Sequence, residues 1–316
     1  MPENANLPAR LGDLPAIGQR AADFARSARS PATLRAYEWD WADFVAWCDA
    51  LDLASLPAEP TTVGAYLSDR AGKLKVATLE RRRAAIAFYH RRAGHGFDNE
   101  HLAIASVMSG IRRTLGSRQD GKAAILTEDL RAMVRTLPDT LRGVRDRAVL
   151  LIGFGGAFRR SELVALDRED CQISSGGIVI TVRKSKTDQE GRGREVGIPR
   201  SKRTCPVAAL EHWLRMAGIE DGPVFCAVVH NTKPGARLAG KAVADIVKAA
   251  AKAAGYDPAK YGAHSLRSGF ATSAARAGAD IAHIMQQTGH KSVDVARRYV
   301  RRGNLFENPA SKAVRL

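Results

Sequence analysis

One stretch of this 316-residue chain breaks the pattern of the rest. In GGIVITVRKSKTDQEGRGREVGIP, residues 176–199, Ile178, Ile180 and Val182 alternate with Val179 and Thr181. A charged loop follows, and Val196 and Ile198 resume the apolar positions. Side chains two apart share a face only in an extended strand, so the stretch predicts a β-hairpin or small antiparallel sheet. Elsewhere the apolar spacing is helical. The chain is therefore predicted to be mainly α, with one small antiparallel sheet in its second half.

Residues 1–24 lack apolar periodicity and read as a lead-in. SPATLRAYEWDWADFVAWC then offers Ser30 as an N-cap and Pro31 as the first helical residue. Leu34, Tyr37, Trp41, Phe44, Val45 and Cys48 follow on one face. Further helices are predicted from Thr61 to about Ser68, over ATLERRRAAIAFYHRRAG, and over NEHLAIASVMSGIRRTLG. These make an all-helical first domain, 25–116. Polar, Gly-containing SRQDGKAA, 117–124, reads as a linker. The second domain, 125–302, opens with Thr127 as an N-cap. It continues through the apolar helix GVRDRAVLLIGFGGAF and the hairpin, and is helical again from Pro206 onward. Its GFGG cluster lacks nucleotide-loop spacing and reads as close helix packing. A tail, 303–316, completes the chain.

Lys and Arg total 49 against 33 Asp and Glu, a formal charge of +16. An excess of that size concerns partners rather than fold, and nucleic acid leads. No apolar run approaches a membrane span, and no secretory signal precedes the first helix, so the cytoplasm is the expected compartment. Cys48, Cys171, Cys205 and Cys226 lie far apart with no CxxC pair, so reduced thiols and no zinc site are expected. The first domain carries ERRR (80–83), HRR (90–92) and IRR (111–113). Arg81, Arg82, Arg92, Arg112 and Arg113, with Thr33 of the first helix, are candidate DNA contacts.

The second domain holds a set of cationic and proton-carrying residues. GGAFRRSELVAL places Arg159 beside Glu162. RKSKTDQ places Lys184 and Lys186 in the hairpin loop. HSLRSGFAT places His264 and Arg267 one turn apart. TGHKSVDVARRYV places His290 nine residues before Tyr299. Breaking a phosphodiester requires a nucleophile, fixed cations for the charged oxygens and an acid for the leaving alkoxide. No metal-binding cluster is visible, so side-chain cations would supply the stabilisation, and no cofactor is expected.

In this order and spacing, Arg-x-Ser-Glu-Leu (159–163), Ser-Lys-Thr (185–187), His-x-x-Arg (264–267) and Gly-His followed by Tyr (289, 290, 299) resemble the catalytic boxes of tyrosine recombinases, the phage-integrase family, of the simple two-domain Xer/Cre-like type. The resemblance covers roughly 25–302. It implies a helical, SAM-like core-binding domain and an α-rich catalytic domain with a small antiparallel β-sheet, closing as a clamp on DNA. It implies that Tyr299 attacks the scissile phosphate, leaving a 3′-phosphotyrosyl link, without metal or ATP. His264 would be the base, Arg159 and Arg267 the phosphate clamps, and His290 a hydrogen-bond donor to the phosphate. Glu162 would orient the cluster. Lys186, with Lys184 as the alternative, would protonate the leaving 5′-oxygen. Thr288 stands where leucine is usual in the family.

The implied partner is double-stranded DNA with short core recombination sites. Two sites would assemble a homotetramer, with an accessory or partner recombinase compatible with the pattern. The tail, with Leu305 and Phe306, would dock on a neighbouring subunit. A type IB topoisomerase and a non-catalytic DNA-binding protein are the rival readings. An RNA-binding helical protein has only the charge in its favour.

Overall fold

The computed structural model describes residues 28–116, 121–183 and 193–294, with single positions 17, 19, 20, 24, 296, 297 and 299. The chain divides into two compact units, Met1–Asp120 and Gly121–Leu316. The tail and most of the lead-in lie outside the described residues, as do Lys184 and Lys186. Among the described residues no helix is long and apolar enough to cross a membrane. All four cysteines are free thiols, and Cys48, Cys171 and Cys226 are buried.

The first unit contains α1 (Pro31–Asp49), α2 (Pro60–Arg70), α3 (Val76–Arg92) and α4 (Leu102–Leu115). Ser30 caps α1, its Oγ accepting from the Thr33 amide at 3.2 Å, with Pro31 at the first position. Phe44, Cys48, Val63, Tyr66, Leu67, Leu79, Ile86, Ile104, Met108 and Ile111 form one core. α2 packs along α4, and α1 along α3. The α2–α4 approach is so close that a Cβ at Gly64 would collide with the Ala103 carbonyl oxygen.

Hydrophobic spacing did not reveal that α1 also buries Asp40, 2% exposed. Its carboxylate receives two bonds from the Arg81 guanidinium, at 2.7 and 3.0 Å. One turn on, Asp43 accepts from Tyr66 at 2.7 Å, from Arg70 at 3.2 Å and from Arg82. Burial alone would raise the Asp43 carboxyl, but these donors outweigh it and hold its pKa below the ordinary value.

The second unit is built on α6 (Leu141–Gly155), which packs against α8 (Pro206–Ala217) and α10 (His264–Arg276). α5 (Thr127–Arg135), α7 (Arg160–Ala165), α9 (Gly240–Ala253) and α11 (Ile281–Thr288) surround it. Thr127 lies inside α5 rather than capping it. The carboxylate of Asp129 reaches back to the Leu126 amide at 2.9 Å and serves that end instead. In GFGG, a Cβ on Gly153 would sit 3.0 Å from Leu266 and 3.1 Å from Leu163, so this glycine does mark close packing.

The hairpin pairs β2 (Gly177–Val182) with β3 (Arg194–Pro199), Ile178 facing Ile198 and Ile180 facing Val196. A short β1 (Cys171–Ile173) completes an antiparallel sheet in the order β1-β2-β3. Ile178, Ile180, Val182, Val196 and Ile198 all point into the core.

The stretch after Pro206 is not wholly helical. β4 (Cys226–Val229) and β5 (Lys233–Arg237) form a second hairpin. His230 and Asn231 turn it in the left-handed conformation, at φ 48° and 60°. Four apolar residues followed by a run containing Pro234 leave too little alternation to announce a strand.

Residues 121–126 are fastened to the chain leading into α10. The Ala123 amide donates to the Lys260 carbonyl at 2.8 Å, and the Ile125 amide to that of Ser265 at 3.0 Å. A Cβ at Gly269 would collide with the Ile125 carbonyl oxygen. The second half of the stretch read as a linker therefore belongs to the second unit.

Gly64→Ala is expected to destabilise the first unit by about 1–3 kcal/mol, the usual cost of forcing atoms into filled space. Urea unfolding of the full chain, followed by fluorescence of that unit's tryptophans, checks this.

Candidate active site

Arg159 sits at the N-cap of α7, where the chain leaves α6. Its backbone amide donates to Glu162 Oε2 at 2.9 Å, and its Nη1 to Oε1 at 2.6 Å. The Glu162 side chain is fully buried. Arg194, the first residue of β3, donates to the same Oε2 at 3.2 Å and to the Gln287 carbonyl at 2.9 Å. Arg267, one turn into α10, is 1% exposed. Its Nη1 donates to the Ala157 carbonyl at 2.8 Å, while its Nη2 is buried without a partner. Ala157 holds φ 49°, an unfavourable conformation for alanine, and its carbonyl meets Arg267 from there.

Burial, then the neighbouring Arg159, pulls the Arg267 pKa down to about 10. Burial likewise lowers that of Arg194. Three guanidiniums thus gather around one carboxylate, and an unpartnered donor among them is a standing demand for an anion.

His264 opens α10, one turn before Arg267. It is exposed on one side. The atoms packed round its ring, with Arg267 and Arg159, still hold its pKa below the ordinary histidine value. Its Nε2 lies 3.3 Å from the Tyr299 hydroxyl. The His290 ring stacks on the Tyr299 ring at 5.6 Å between centroids and 23° between planes. Burial, then Arg267, Arg159, His264 and Arg194, pushes the His290 pKa down to about 4.

α11 delivers His290. Gln287 Nε2 ties that helix to the carbonyls of Gly155, at 2.9 Å, and Gly197, at 3.1 Å. Gly289 then reverses the chain at φ 65°. A Cβ there would press on Arg194, whose Nε lies 2.9 Å from that position.

The structure thus brings Arg159, Glu162, His264, Arg267, His290 and Tyr299 into one cluster. Lys186 and its alternative Lys184 fall outside the described residues. Sequence reasoning missed Arg194 and Gln287. Neither carries a motif, and a charged residue opening an amphipathic strand gives no cue beyond its charge. Among the described residues no group of three His, Cys, Asp or Glu is placed to hold a metal ion.

The candidate contacts of the first unit divide. Arg81 and Arg82 tie α3 to α1 through Asp40 and Asp43. Arg112 pairs with Glu80 at 2.5 Å. Thr33 Oγ1 bonds Ser30 Oγ at 2.8 Å within the helix cap. Arg92 and Arg113 are exposed. An open groove of about 590 Å³ adds Arg29, Arg83 and Arg91, with Tyr37 and Phe88 on its wall. Arg29 lies over both rings, at 5.6 and 5.3 Å.

Residues 124–304 match the model of the phage integrase family. An integrase/recombinase xerD homolog of Selenomonas ruminantium is 38% identical over 311 residues, covering 96% of this chain and 91% of its own length. The recombinase Cre of Escherichia phage P1 is 27% identical, covering 82% and 80%. Among solved structures, XerH bound to a palindromic difH substrate superposes with a TM-score of 0.62 at 19% identity, covering 81% of this chain and 71% of that one. A λ integrase dimer bound to a COC′ core site gives 0.59 at 18%, covering 90% and 93%. The chain belongs to the phage integrase family. It is a tyrosine site-specific recombinase, mainly α with a small antiparallel sheet.

The depressed His290 pKa sets a pH response. A histidine near 4 when folded and about 6.5 when unfolded contributes stability above 6.5, lost as pH falls toward 4. We expect a loss on the order of 2 kcal/mol across that window, allowing for the ring's partial exposure. Urea midpoints of DNA-free protein against pH check this, and His290→Asn should flatten the slope.

Proposed function

We propose that the protein cleaves and rejoins double-stranded DNA at short core sites through a 3′-phosphotyrosyl intermediate. Tyr299 Oη attacks the scissile phosphorus and its proton passes to His264 Nε2, which is neutral at pH 7 and 3.3 Å away. Arg159 and Arg267 clamp the non-bridging oxygens as charge builds there, and His290 adds a hydrogen bond. Glu162 orients rather than reacts, since both its oxygens are already engaged. The leaving 5′-oxygen takes its proton from Lys186, or from Lys184. The covalent link conserves the phosphodiester, so a 5′-hydroxyl from another strand reseals it with the reverse proton transfers. Neither metal nor ATP enters the cycle.

The observation that carries this reading is the phenol–imidazole contact beside a buried guanidinium whose Nη2 lacks a partner. On this reading two protomers occupy one site, and two sites form a tetramer. Arg92, Arg113 and the Arg29 groove follow the phosphate backbone. Arg81, Arg82 and Arg112 reach DNA only with whatever donors their carboxylate partners leave free.

A duplex selected from a random-sequence pool by binding to Tyr299→Phe protein supplies the probe. Nicked near its centre and offered to the wild type in chelator, it should yield a denaturant-resistant adduct. Tyr299→Phe should bind equally and yield none. Arg267→Ala should slow adduct formation by about 10²–10³, the usual cost of one transition-state donor set. An adduct that survives Tyr299→Phe, or that forms only with a divalent ion, would end this proposal. Recombined rather than merely relaxed plasmid products separate it from a topoisomerase.

A further inference from the structure

Thr288 is fully buried at the last position of α11, two residues before His290. Its Oγ1 lies 2.6 Å from the Ile284 carbonyl oxygen, 3.4 Å from that of Met285 and 2.8 Å from His290 Nδ1. The intervening turn is held by the Gly289 and His290 amides, which both donate to the Met285 carbonyl, at 2.7 and 3.2 Å.

A hydroxyl has one proton, and a carbonyl oxygen can only accept. At 2.6 Å the Thr288 proton must lie toward Ile284, because two bare oxygens that close would repel. What Oγ1 then offers His290 is a lone pair. The Nδ1 of His290 must carry the hydrogen and donate it. A neutral imidazole has only one N–H, so Nε2 is left as an acceptor. A leucine at this position would have no atom that could impose the choice.

We propose that Thr288 is a positioning residue that fixes His290 as the Nδ1–H tautomer, so that Nε2 donates to a phosphate oxygen only after taking up a proton. The second half rests on the recombinase reading above. Among the described residues, the groups facing the ring are Arg267 and His264 from α10, Arg159 from the start of α7, Arg194 from β3, and the Tyr299 ring. None of them is an anion. An empty site therefore keeps His290 neutral, and an arriving phosphodiester supplies the negative charge that favours the imidazolium. Filling the site and arming the donor become one event.

The test uses full-length protein with ¹⁵N-labelled histidine, His290 being assigned by His290→Asn. Without DNA near neutral pH, wild-type Nδ1 should give a pyrrole-type shift and Nε2 a pyridine-type shift. Thr288→Val, matched in shape but lacking the hydroxyl, should move the proton toward Nε2. Thr288→Ser should restore the wild-type pattern. A pyridine-type Nδ1 in the wild type, or shifts unmoved in Thr288→Val, would overturn the tautomer assignment.

The second readout is adduct formation on the selected nicked duplex. The wild-type to Thr288→Val rate ratio should fall roughly tenfold as pH rises from about 6 to about 9, because only the variant keeps a neutral Nε2–H donor. A ratio constant with pH overturns the proton-uptake step. If the wild type forms no adduct with any nicked duplex, the recombinase reading fails and takes the proton-uptake step with it. The nitrogen shifts still decide the role of Thr288 in that case.

Discussion

Among the described residues, Glu162 is the acid that makes the cationic cluster tolerable. Its carboxylate is wholly buried, and each oxygen already accepts from a guanidinium. Without it, Arg159 and Arg194 would lose their partner and repel each other across a water-poor space. Removing one member of a buried ion pair commonly costs about 3–5 kcal/mol, more than an exposed pair is worth. One carboxylate still falls short of three guanidiniums. Among the described residues Arg267 has no carboxylate partner, and it rests on a backbone carbonyl presented by a strained alanine. The fold therefore holds positive charge in place and leaves part of its hydrogen-bonding capacity open. Such a pocket has its donors placed before a substrate arrives, which is what electrostatic stabilisation of a transition state requires.

The basic excess of the chain is not one uniform surface. In the first unit, Arg81 and Arg82 close on Asp40 and Asp43, adding ion pairs between α1 and α3 to the packing of Tyr37 on Phe88 and Trp41 on Tyr89. A run of arginines on a helix can thus be a structural clasp on one side and an accessible row on the other. The charge total alone cannot distinguish these uses. The aspartates ten and thirteen residues after Ser30 do, once they are seen facing α3 from α1.

Periodicity carried most of the architecture. The alternation of Ile178, Ile180 and Val182 announced the sheet, and the capping pair Ser30-Pro31 announced the start of α1. The four boxes identified the family because their order is improbable by accident. What stayed hidden was of a different kind. β4 and β5 are too short, and β5 is interrupted by proline. Asp40 is polar, so a hydrophobic pattern passes over it. Arg194, Gln287 and Thr288 act through contacts with residues far away in sequence or through the direction of one proton. Local pattern registers which side chains are apolar. It does not register which carbonyl a guanidinium will meet across the fold.

The attachment of residues 121–126 beside α10 bears on where this protein can be divided. The family match opens at 124, yet the Ala123 amide already bonds the Lys260 carbonyl, and the Lys122 ammonium reaches that of Ala259 at 2.5 Å. An excised catalytic fragment begun at the family boundary would lack these ties next to the helix that carries His264 and Arg267. A workable excision point lies upstream, at or before Gly121, and homology boundaries alone would place the cut a few residues too late.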